Sequence, residues 1–369
     1  MRPRTRSLGR AIVRTSGREG GAPVGSLTVS AQQTPLWIGT YPAAGAGTPV
    51  GQGEGIWRVD LDPATGALSN PRQVVETPSP SFLALRGTVL YAAHEQADGT
   101  VSAFDVVGDT LVHRATVASG GADPCHLLLD ADGHRLFVAN YSSGTLGVLP
   151  LDADGGFATH GPDQVLGHAG SGPDEDRQES PHAHFVALDP GGDHVLVVDL
   201  GTDEIRRYRR DAGRLVQDGI AATLPAGTGP RHLAFSADGR FAYVVGELDV
   251  TVRVLAWENG VGTLVQTLPA TTVPADERRL PSHVVLDGDR LLVGVRTSDV
   301  LARFGVRADG LLEPVADDAL PGAWPRHFEV VDGWTVVAEQ VSGGLAVLDA
   351  DGALVATTDL PAPTCVVPA

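Results

Sequence analysis

The clearest pattern of apolar and polar positions surrounds the Asp238-Gly239 turn, which has a short apolar stretch on either side. Two strands joined by so short a turn run antiparallel, so the start of the first lies beside the end of the second. Arg231 and His232, at the start, are therefore predicted to lie near Glu247, at the end. Similar two-strand units recur along the chain.

Copies of this unit begin near residues 78, 123, 180, 229, 280 and 324, and two further short strands follow in each copy. The spacings are close to the ~40–50 residues of a propeller blade. No long amphipathic helix interrupts the repeats. The pattern therefore predicts an all-β protein built from four-stranded antiparallel blades.

The two ends of the chain complete the predicted ring. Leu36 to Tyr41 has the form of a second blade strand, and Pro363 to Val367 has the form of a first strand. A C-terminal strand that closes the first blade removes an open sheet edge and brings the count to seven blades. We therefore predict a single seven-bladed β-propeller domain over residues 35–369. Residues 1–34 are predicted to be a disordered or artefactual N-terminal extension.

The amino-acid composition argues against some classes of partner for the predicted propeller. A net charge of -18 argues against a nucleic-acid surface, because phosphate backbones require a basic patch. A few arginines gathered in one pocket can still hold a small anion. Cys125 and Cys365 form no disulfide framework and no metal-ligand spacing, which favours the cytoplasm. No apolar stretch approaches 18 residues, so no membrane span is predicted.

Polar residues are predicted to gather at one end of the propeller. The first strand of each blade lines a central channel, so every strand-one start and strand-two end reaches the same channel mouth. This places seven of the 12 histidines there. The polar residues predicted at the mouth are Tyr41, His94, Glu95, His126, Asn140, Tyr141, His182, His184, Asp199, Arg231, His232, Glu247, His283, Arg296, Arg326, His327, Glu339 and Gln340.

A structural interpretation of these residues stays open. A repeated histidine can hydrogen-bond the backbone of a neighbouring blade without taking part in function. Arg231 and Arg326 are harder to explain in this way, because buried guanidinium groups need a carboxylate partner or a bound anion. The segment Gly167 to Ser180 is either a solvated loop or a lid over the mouth.

Other chemistries receive little support from the sequence. His182 and His184 share one face of a regular strand, but a metal site needs at least a third ligand, so none is predicted. Cys125 stands beside His126, but adjacent side chains of a strand point to opposite faces, which argues against a nucleophilic cysteine.

Several motifs in fixed order resemble those of the lactonase family of seven-bladed propellers, over about residues 35 to 369. They are Pro124-Cys125-His126, Val138-Ala139-Asn140-Tyr141, Asp176-Arg177-Gln178, Pro181-His182-Ala183-His184, Asp199-Leu200-Gly201, Gly229-Pro230-Arg231-His232 and Trp324-Pro325-Arg326-His327. The resemblance implies hydrolysis of 6-phosphoglucono-1,5-lactone to 6-phosphogluconate in the pentose phosphate pathway, with no metal or organic cofactor. Gly246, Val295 and Glu339 depart from the family's usual asparagines.

This resemblance leads to a hypothesis for the site. Glu247, directly or through His232, is expected to be the general base that activates water. Arg231, together with Arg326, is expected to stabilise the oxyanion. The residues expected to bind the anionic sugar-lactone substrate are His126, His182, His184, Arg296, Arg326, His327 and Gln340.

Two alternatives remain at the level of sequence. An intramolecular lyase resembling the carboxy-cis,cis-muconate cyclases would use arginines to clamp carboxylates and a His or Glu to transfer a proton to carbon. A non-catalytic propeller would bind a ligand or a protein partner and need no organised set of Arg, Glu and His. The closed ring leaves no obvious sheet edge for pairing, which favours a monomer.

Overall fold

A computed structural model of the protein describes residues 33–41 and 55–369. These residues form 28 strands and no helix, so no helix among them could cross a membrane. The first fourteen strands are β1 Thr34–Thr40, β2 Ile56–Leu61, β3 Leu68–Val75, β4 Pro80–Arg86, β5 Val89–His94, β6 Thr100–Val107, β7 Thr110–Ala118, β8 Pro124–Leu129, β9 Arg135–Asn140, β10 Thr145–Pro150, β11 Gln164–Gly167, β12 Ala183–Leu188, β13 His194–Asp199 and β14 Glu204–Asp211. The remaining strands are β15 Arg214–Thr223, β16 Pro230–Phe235, β17 Phe241–Gly246, β18 Thr251–Glu258, β19 Val261–Pro269, β20 Leu280–Asp287, β21 Arg290–Arg296, β22 Val300–Val306, β23 Leu312–Ala319, β24 Pro325–Val331, β25 Trp334–Glu339, β26 Gly344–Leu348, β27 Leu354–Asp359 and β28 Pro363–Pro368.

The strands form seven antiparallel sheets of four, which confirms the predicted seven-bladed propeller. Six sheets follow chain order from β4 to β27, and the first blade has the order β28-β1-β2-β3. Each inner strand contacts the inner strands of the two neighbouring blades, and the contacts of β28 with β24 and with β4 complete the ring. The C-terminal strand therefore closes the first blade, as predicted.

The predicted N-terminal extension lies outside the described residues except for its last two positions. Of these, Thr34 already belongs to β1, where it pairs with Leu61 of β2.

The core lies between adjacent blades. Tyr243 and Val245 on one face of β17 pack with Leu291 and Val293 of the next blade. The other face of β17 packs against the preceding blade through Val244 and its neighbours. A middle strand is thus apolar on both faces, and each fully buried aliphatic side chain contributes about 1.5–3 kcal/mol. The outermost strands, such as β19, alternate between exposed and partly buried positions because only one face is covered.

A bulge near the start of the inner strand recurs in all seven blades, including β28, where Pro363 pairs with Thr40 and Cys365 with Gly39. In β16, Pro230 pairs with Gly246 and Leu233 pairs with Val244, so Arg231 and His232 together face Val245. A bulge re-aims side chains and interrupts their alternation. Arg231 and His232 consequently reach the same site although they are adjacent in sequence.

Candidate active site

Three arginines converge on one buried carboxylate at the channel mouth. Glu247 follows β17 and is 2% exposed. Its Oε2 lies 3.0 Å from Nε of Arg231 and 2.6 Å from Nη2 of Arg296. Its Oε1 accepts a hydrogen bond of 2.8 Å from Nη2 of Arg177. One carboxylate is thus shared by Arg231 of blade five, Arg296 of blade six and Arg177 of the loop before β12. We call Glu247 and these three arginines the Glu247 cluster.

The electrostatics of the Glu247 cluster favour ionised groups. Burial opposes ionisation of Glu247, but the charges of Arg296, Arg177 and Arg231 outweigh it and hold the pKa of this carboxyl well below its usual value. Burial, with Arg296, lowers the pKa of Arg231 to about 9 against the opposing effect of Glu247. The guanidinium therefore stays charged at neutral pH. Three cations against one carboxylate leave a surplus of two positive charges.

Arg231 also determines the tautomer of His232. Nη1 of Arg231 lies 3.1 Å from Nε2 of His232 and 2.5 Å from the carbonyl oxygen of Ser282, and a guanidinium can only donate. Nε2 of His232 is thus the acceptor, and its Nδ1 carries the proton that it donates to Nδ1 of His283 at 2.7 Å. Both nitrogens of His232 are engaged, which leaves no lone pair for relaying a proton from Glu247.

Two further channel histidines bond the backbone of a neighbouring blade. Nδ1 of His126 accepts from the amide of Val186, and Nδ1 of His327 accepts from the amide of Val366, each at 3.3 Å. The proton of each imidazole therefore lies on Nε2. Burial, aided by nearby positive charge, lowers the pKa of His327 to about 3, so the ring is neutral. The structural role that the sequence left open is observed for both residues.

A second charged pair occupies another part of the mouth. Nη2 of Arg326 lies 3.2 Å and 2.9 Å from the two carboxylate oxygens of Glu95. Nη1 of Arg326 donates to Oε1 of Gln340 at 3.4 Å, and the guanidinium carbon lies 5.1 Å from the ring centre of Tyr41. Burial, with the charge of Glu95, raises the pKa of the Tyr41 hydroxyl. Unlike the Glu247 cluster, this pair is balanced in charge.

A narrow cavity connects the two charged groups. Its lining includes Cys125, Arg231, His232, Arg326 and His327. Its interior has room for roughly one water molecule. The cavity can hold a water molecule beside both arginines and is too small for a sugar.

Comparison with known proteins gives the family. The sequence matches the family described as "Lactonase, 7-bladed beta-propeller" over residues 35–368. The chain belongs to the lactonase family. It is 31% identical over 351 residues to the 6-phosphogluconolactonase of Bacillus subtilis (strain 168), covering 89% of this chain and 97% of that protein.

Other members of the lactonase family are similar over most of their length. The 6-phosphogluconolactonase of Serratia proteamaculans (strain 568) is 31% identical over 292 residues, which cover 76% of this chain and 84% of that protein. The crystal structure of the periplasmic gluconolactonase of Pseudomonas aeruginosa superimposes with a TM-score of 0.82 at 30% identity. That match covers 91% of this chain and 99% of the other.

Most of the site residues expected from the sequence come together in this lactonase. Arg231, Arg296 and Glu247 are in direct contact, and Arg326 contacts Gln340. The imidazoles form a connected group through ring contacts of 4.2–5.8 Å between centroids, with His126, His184, His232, His283 and His327 as its members.

His182 stands at the edge of this group. Its ring stacks on Tyr141 at 4.4 Å, and its Nε2 lies 3.1 Å from Oε1 of Glu179. The ring of Tyr141 also contacts that of His184, at 5.5 Å between centroids, so Tyr141 links His182 to the group. Within the part of the chain that the structure describes, no group of three or more His, Cys, Asp or Glu is arranged to hold a metal ion.

Cys125 is a buried thiol that lies between the apolar core and the polar cavity. Its Sγ lies 3.7 Å from the carbonyl oxygen of Ala183 and 3.9 Å from Nδ1 of His184. Burial raises the pKa of this thiol, which disfavours the nucleophilic thiolate. The inner strand is bulged here, because Pro124 pairs with Asn140 and His126 with Ala139, so the simple alternation assumed from the sequence does not apply.

Arg177 is the member of the Glu247 cluster that the sequence analysis did not assign to the site. It lies on the loop between β11 and β12, 70 positions before Glu247. Its Nε and Nη2 also contact the hydroxyl oxygen of Tyr141, at 3.3 Å and 3.1 Å. The loop therefore covers part of the mouth. The only signal in the sequence is its place in the Asp176-Arg177-Gln178 motif.

Proposed function

We propose that the protein is a lactonase that hydrolyses 6-phosphoglucono-1,5-lactone to 6-phosphogluconate, as a step of the pentose phosphate pathway, at the channel mouth. The observation that carries this proposal is the Glu247 cluster, whose surplus of positive charge suits an anionic substrate at the surface of an otherwise acidic protein. Membership of the lactonase family and the names of its relatives support the reaction class.

Arg231 is proposed as the oxyanion donor. Its Nε faces Glu247 and its Nη1 donates to Ser282, while Nη2 has no hydrogen-bond partner among the described residues. Because two of its three nitrogens are held, the guanidinium is preorganised before the substrate arrives. Donors of this kind, aimed at a developing negative charge, contribute about 10²–10³ in turnover.

The reaction follows from this placement. Water attacks the lactone carbonyl carbon, and the carbonyl oxygen becomes an oxyanion beside Arg231. Collapse of the tetrahedral intermediate breaks the bond to the ring oxygen, which takes a proton from the protonated general base and becomes a hydroxyl group. The new carboxylic acid releases the second proton of the water to solvent and becomes a carboxylate. The water gives up one proton to a general base in the first step.

We propose neutral His184 as this base. Its ring lies 5.4 Å from that of His232, and its Nε2 has no hydrogen-bond partner among the described residues. Burial, together with Arg231, keeps its pKa well below the ordinary value, so the ring is neutral at neutral pH and keeps the lone pair of Nε2. Glu247, the base expected from the sequence, is less available because both of its carboxylate oxygens are engaged by arginines.

We also propose the domain organisation, oligomeric state, localisation and substrate contacts that the sequence predicted. We propose that residues 35–369 act as one domain, that the protein is a cytoplasmic monomer, and that no metal or organic cofactor takes part. His126, His182, Arg296, Arg326, His327 and Gln340 are proposed to contact the substrate or to position the groups that do.

The test is turnover of freshly generated 6-phosphoglucono-1,5-lactone, followed by pH-stat with the spontaneous rate subtracted. Glucono-1,5-lactone is assayed in parallel. We expect saturable acceleration of at least the phosphorylated lactone, and an Arg231→Gln variant that loses most of it. If neither lactone is hydrolysed faster than in buffer, the proposed function is wrong.

A further inference from the structure

The three arginines of the Glu247 cluster are held in different ways. Arg231 and Arg296 are tied to the scaffold by backbone carbonyls: Nη1 of Arg231 donates to Ser282 at 2.5 Å, and Nε of Arg296 donates to Leu280 at 2.9 Å. Their side chains are 4% and 6% exposed. Arg177 bonds only to side chains and is 27% exposed. It is therefore the cation of the cluster that faces solvent.

The loop that carries Arg177 is anchored next to it. Gln178 is fully buried, and its Nε2 donates to the carbonyl oxygen of Leu200 at 2.8 Å and to Oδ1 of Asp203 at 2.9 Å. On the other side, Oδ2 of Asp174 accepts from Nη1 of Arg278 at 2.9 Å. These bonds fix the loop that carries Arg177, so little ordering is required when a ligand binds.

Charge and geometry at Arg177 fit a phosphate group. The Glu247 cluster has a surplus of two positive charges, and a phosphate monoester carries about -1.5 to -2 at neutral pH. The Nη1 atom of Arg177 has no hydrogen-bond partner among the described residues. A guanidinium offers donors that match phosphate oxygens. Arg231 and Arg296 also keep one terminal nitrogen each without a described partner, but their side chains are 4% and 6% exposed, so Arg177 is the arginine that can present its free donor to an incoming phosphate.

We propose that Arg177 binds the phosphate group of the substrate and thereby determines the preference for phosphorylated over unphosphorylated lactones. This inference rests on the proposed function, because it names the residue of the same site that recognises the phosphorylated end. Tyr141 takes part as a positioning residue, since its hydroxyl holds Nε and Nη2 of Arg177 in place.

The variant that tests the proposal is Arg177→Gln, with Arg177→Lys as the conservative variant. The matched control is Arg240→Gln, which removes an exposed arginine paired with Asp238 at a turn outside the Glu247 cluster. Two readouts are compared: the ratio of kcat/KM for 6-phosphoglucono-1,5-lactone and glucono-1,5-lactone, and calorimetric affinities for 6-phosphogluconate and gluconate. The binding readout does not depend on turnover.

We expect Arg177→Gln to lower both preference ratios by about 10- to 100-fold, the range of one or two charge-assisted hydrogen bonds. Arg177→Lys should retain an intermediate preference, because it keeps the charge and loses the paired donors. Arg240→Gln should keep the preference of the unchanged protein.

The outcomes separate the two proposals. A protein that hydrolyses neither lactone, but binds 6-phosphogluconate through Arg177, would refute the lactonase function and support the phosphate site. Equal rates and affinities for phosphorylated and unphosphorylated compounds in the unchanged protein would overturn the inference. A preference that survives in Arg177→Gln would also overturn it and leave the lactonase function intact.

Discussion

The two arginine sites of the channel mouth differ in how their charge is balanced. At Arg326, one guanidinium meets one carboxylate, that of Glu95, through both of its oxygens. At Glu247, one carboxylate is shared among Arg177, Arg231 and Arg296. The Arg326–Glu95 pair has no net charge, whereas the Glu247 cluster has a net positive charge that only a further anion can compensate.

This difference in charge balance indicates different roles for the arginines of the two sites. Both sites are largely buried, and burial of a charge is unfavourable unless it is paired. The Arg326 pair can therefore be explained as part of the channel structure. The Glu247 cluster keeps like charges close together, which is favourable only if a ligand makes use of them. We accordingly propose that the Glu247 cluster recognises the substrate and that Arg326 has a supporting role.

The largest effect is expected when the shared carboxylate of Glu247 is removed. In Glu247→Gln, three arginines lose their common partner, and we expect the free energy of unfolding to fall by about 3–5 kcal/mol. Turnover should fall by at least about 10²-fold, because Arg231 is no longer held. Urea unfolding and lactone turnover measure the two effects. A variant of normal stability and low turnover would instead indicate that Glu247 acts only as a base.

Loss of the proposed oxyanion donor should affect chemistry more than binding. In Arg231→Gln we expect kcat to fall by about 10²–10³, because the developing charge loses its preorganised donor. The control is Arg303→Gln, which breaks a partly buried ion pair with Asp318 on blade six. That control should lose stability while kcat stays close to that of the unchanged protein. Equal kcat for Arg231→Gln and the unchanged protein would place the oxyanion elsewhere.

Acidification should destabilise the folded protein through the buried, neutral imidazoles of the channel. Burial lowers the pKa of His126, His184, His232, His283 and His327, to about 3 for His327. Unfolded histidines bind protons near pH 6.5, so below that pH the unfolded state takes up more protons than the folded state. Each ring then removes about 1.4 kcal/mol of stability per pH unit.

The contribution of these rings is complete above about pH 6.5 and is lost as the pH falls towards the folded-state values. Thermal unfolding at pH 7.5, 6.5 and 5.5 should show a steep decline, and His327→Gln should make it shallower. A melting temperature that stays constant over this range would show that the rings are already charged or are accessible to water.

The smallest effect is expected at the balanced site. Arg326→Gln removes the partner of Glu95, which is 13% exposed and can be reached by water. We expect kcat/KM to fall by about tenfold, equivalent to about 1.4 kcal/mol, and less than in Arg231→Gln. Steady-state kinetics of Arg326→Gln and Arg231→Gln under the same conditions give the loss of kcat/KM in each variant. A larger loss for Arg326→Gln would reverse the roles that we assign to the two sites.

The sequence was informative wherever structure repeats at short range. Apolar strands, tight turns and their spacing predicted the seven blades and the closing of the first blade by β28. The hairpin around Gly239, whose φ of 70° suits glycine, brings the start of β16 beside the end of β17, where Glu247 follows. Local pairing rules therefore sufficed for this part of the site.

The sequence was less informative about the loop and the bulges. Arg177 reaches Glu247 from a loop with no periodic pattern, and its anchor, Gln178, contacts Leu200 and Asp203 of a different segment. The bulge in β16 turns Arg231 and His232 to one side, where strict alternation would separate them. Neither feature follows from residue spacing.

The architecture could be predicted from the sequence, because apolar periodicity and turn chemistry act between neighbours in the chain. The set of polar residues at the channel mouth stays a prediction. The tertiary structure alone decided that three arginines share Glu247 while Arg326 pairs with Glu95. It also decided the tautomer of His232, which depends on Arg231 and His283. Electrostatic balance and hydrogen-bond direction depend on distances between distant segments, and those distances exist only in the folded ring.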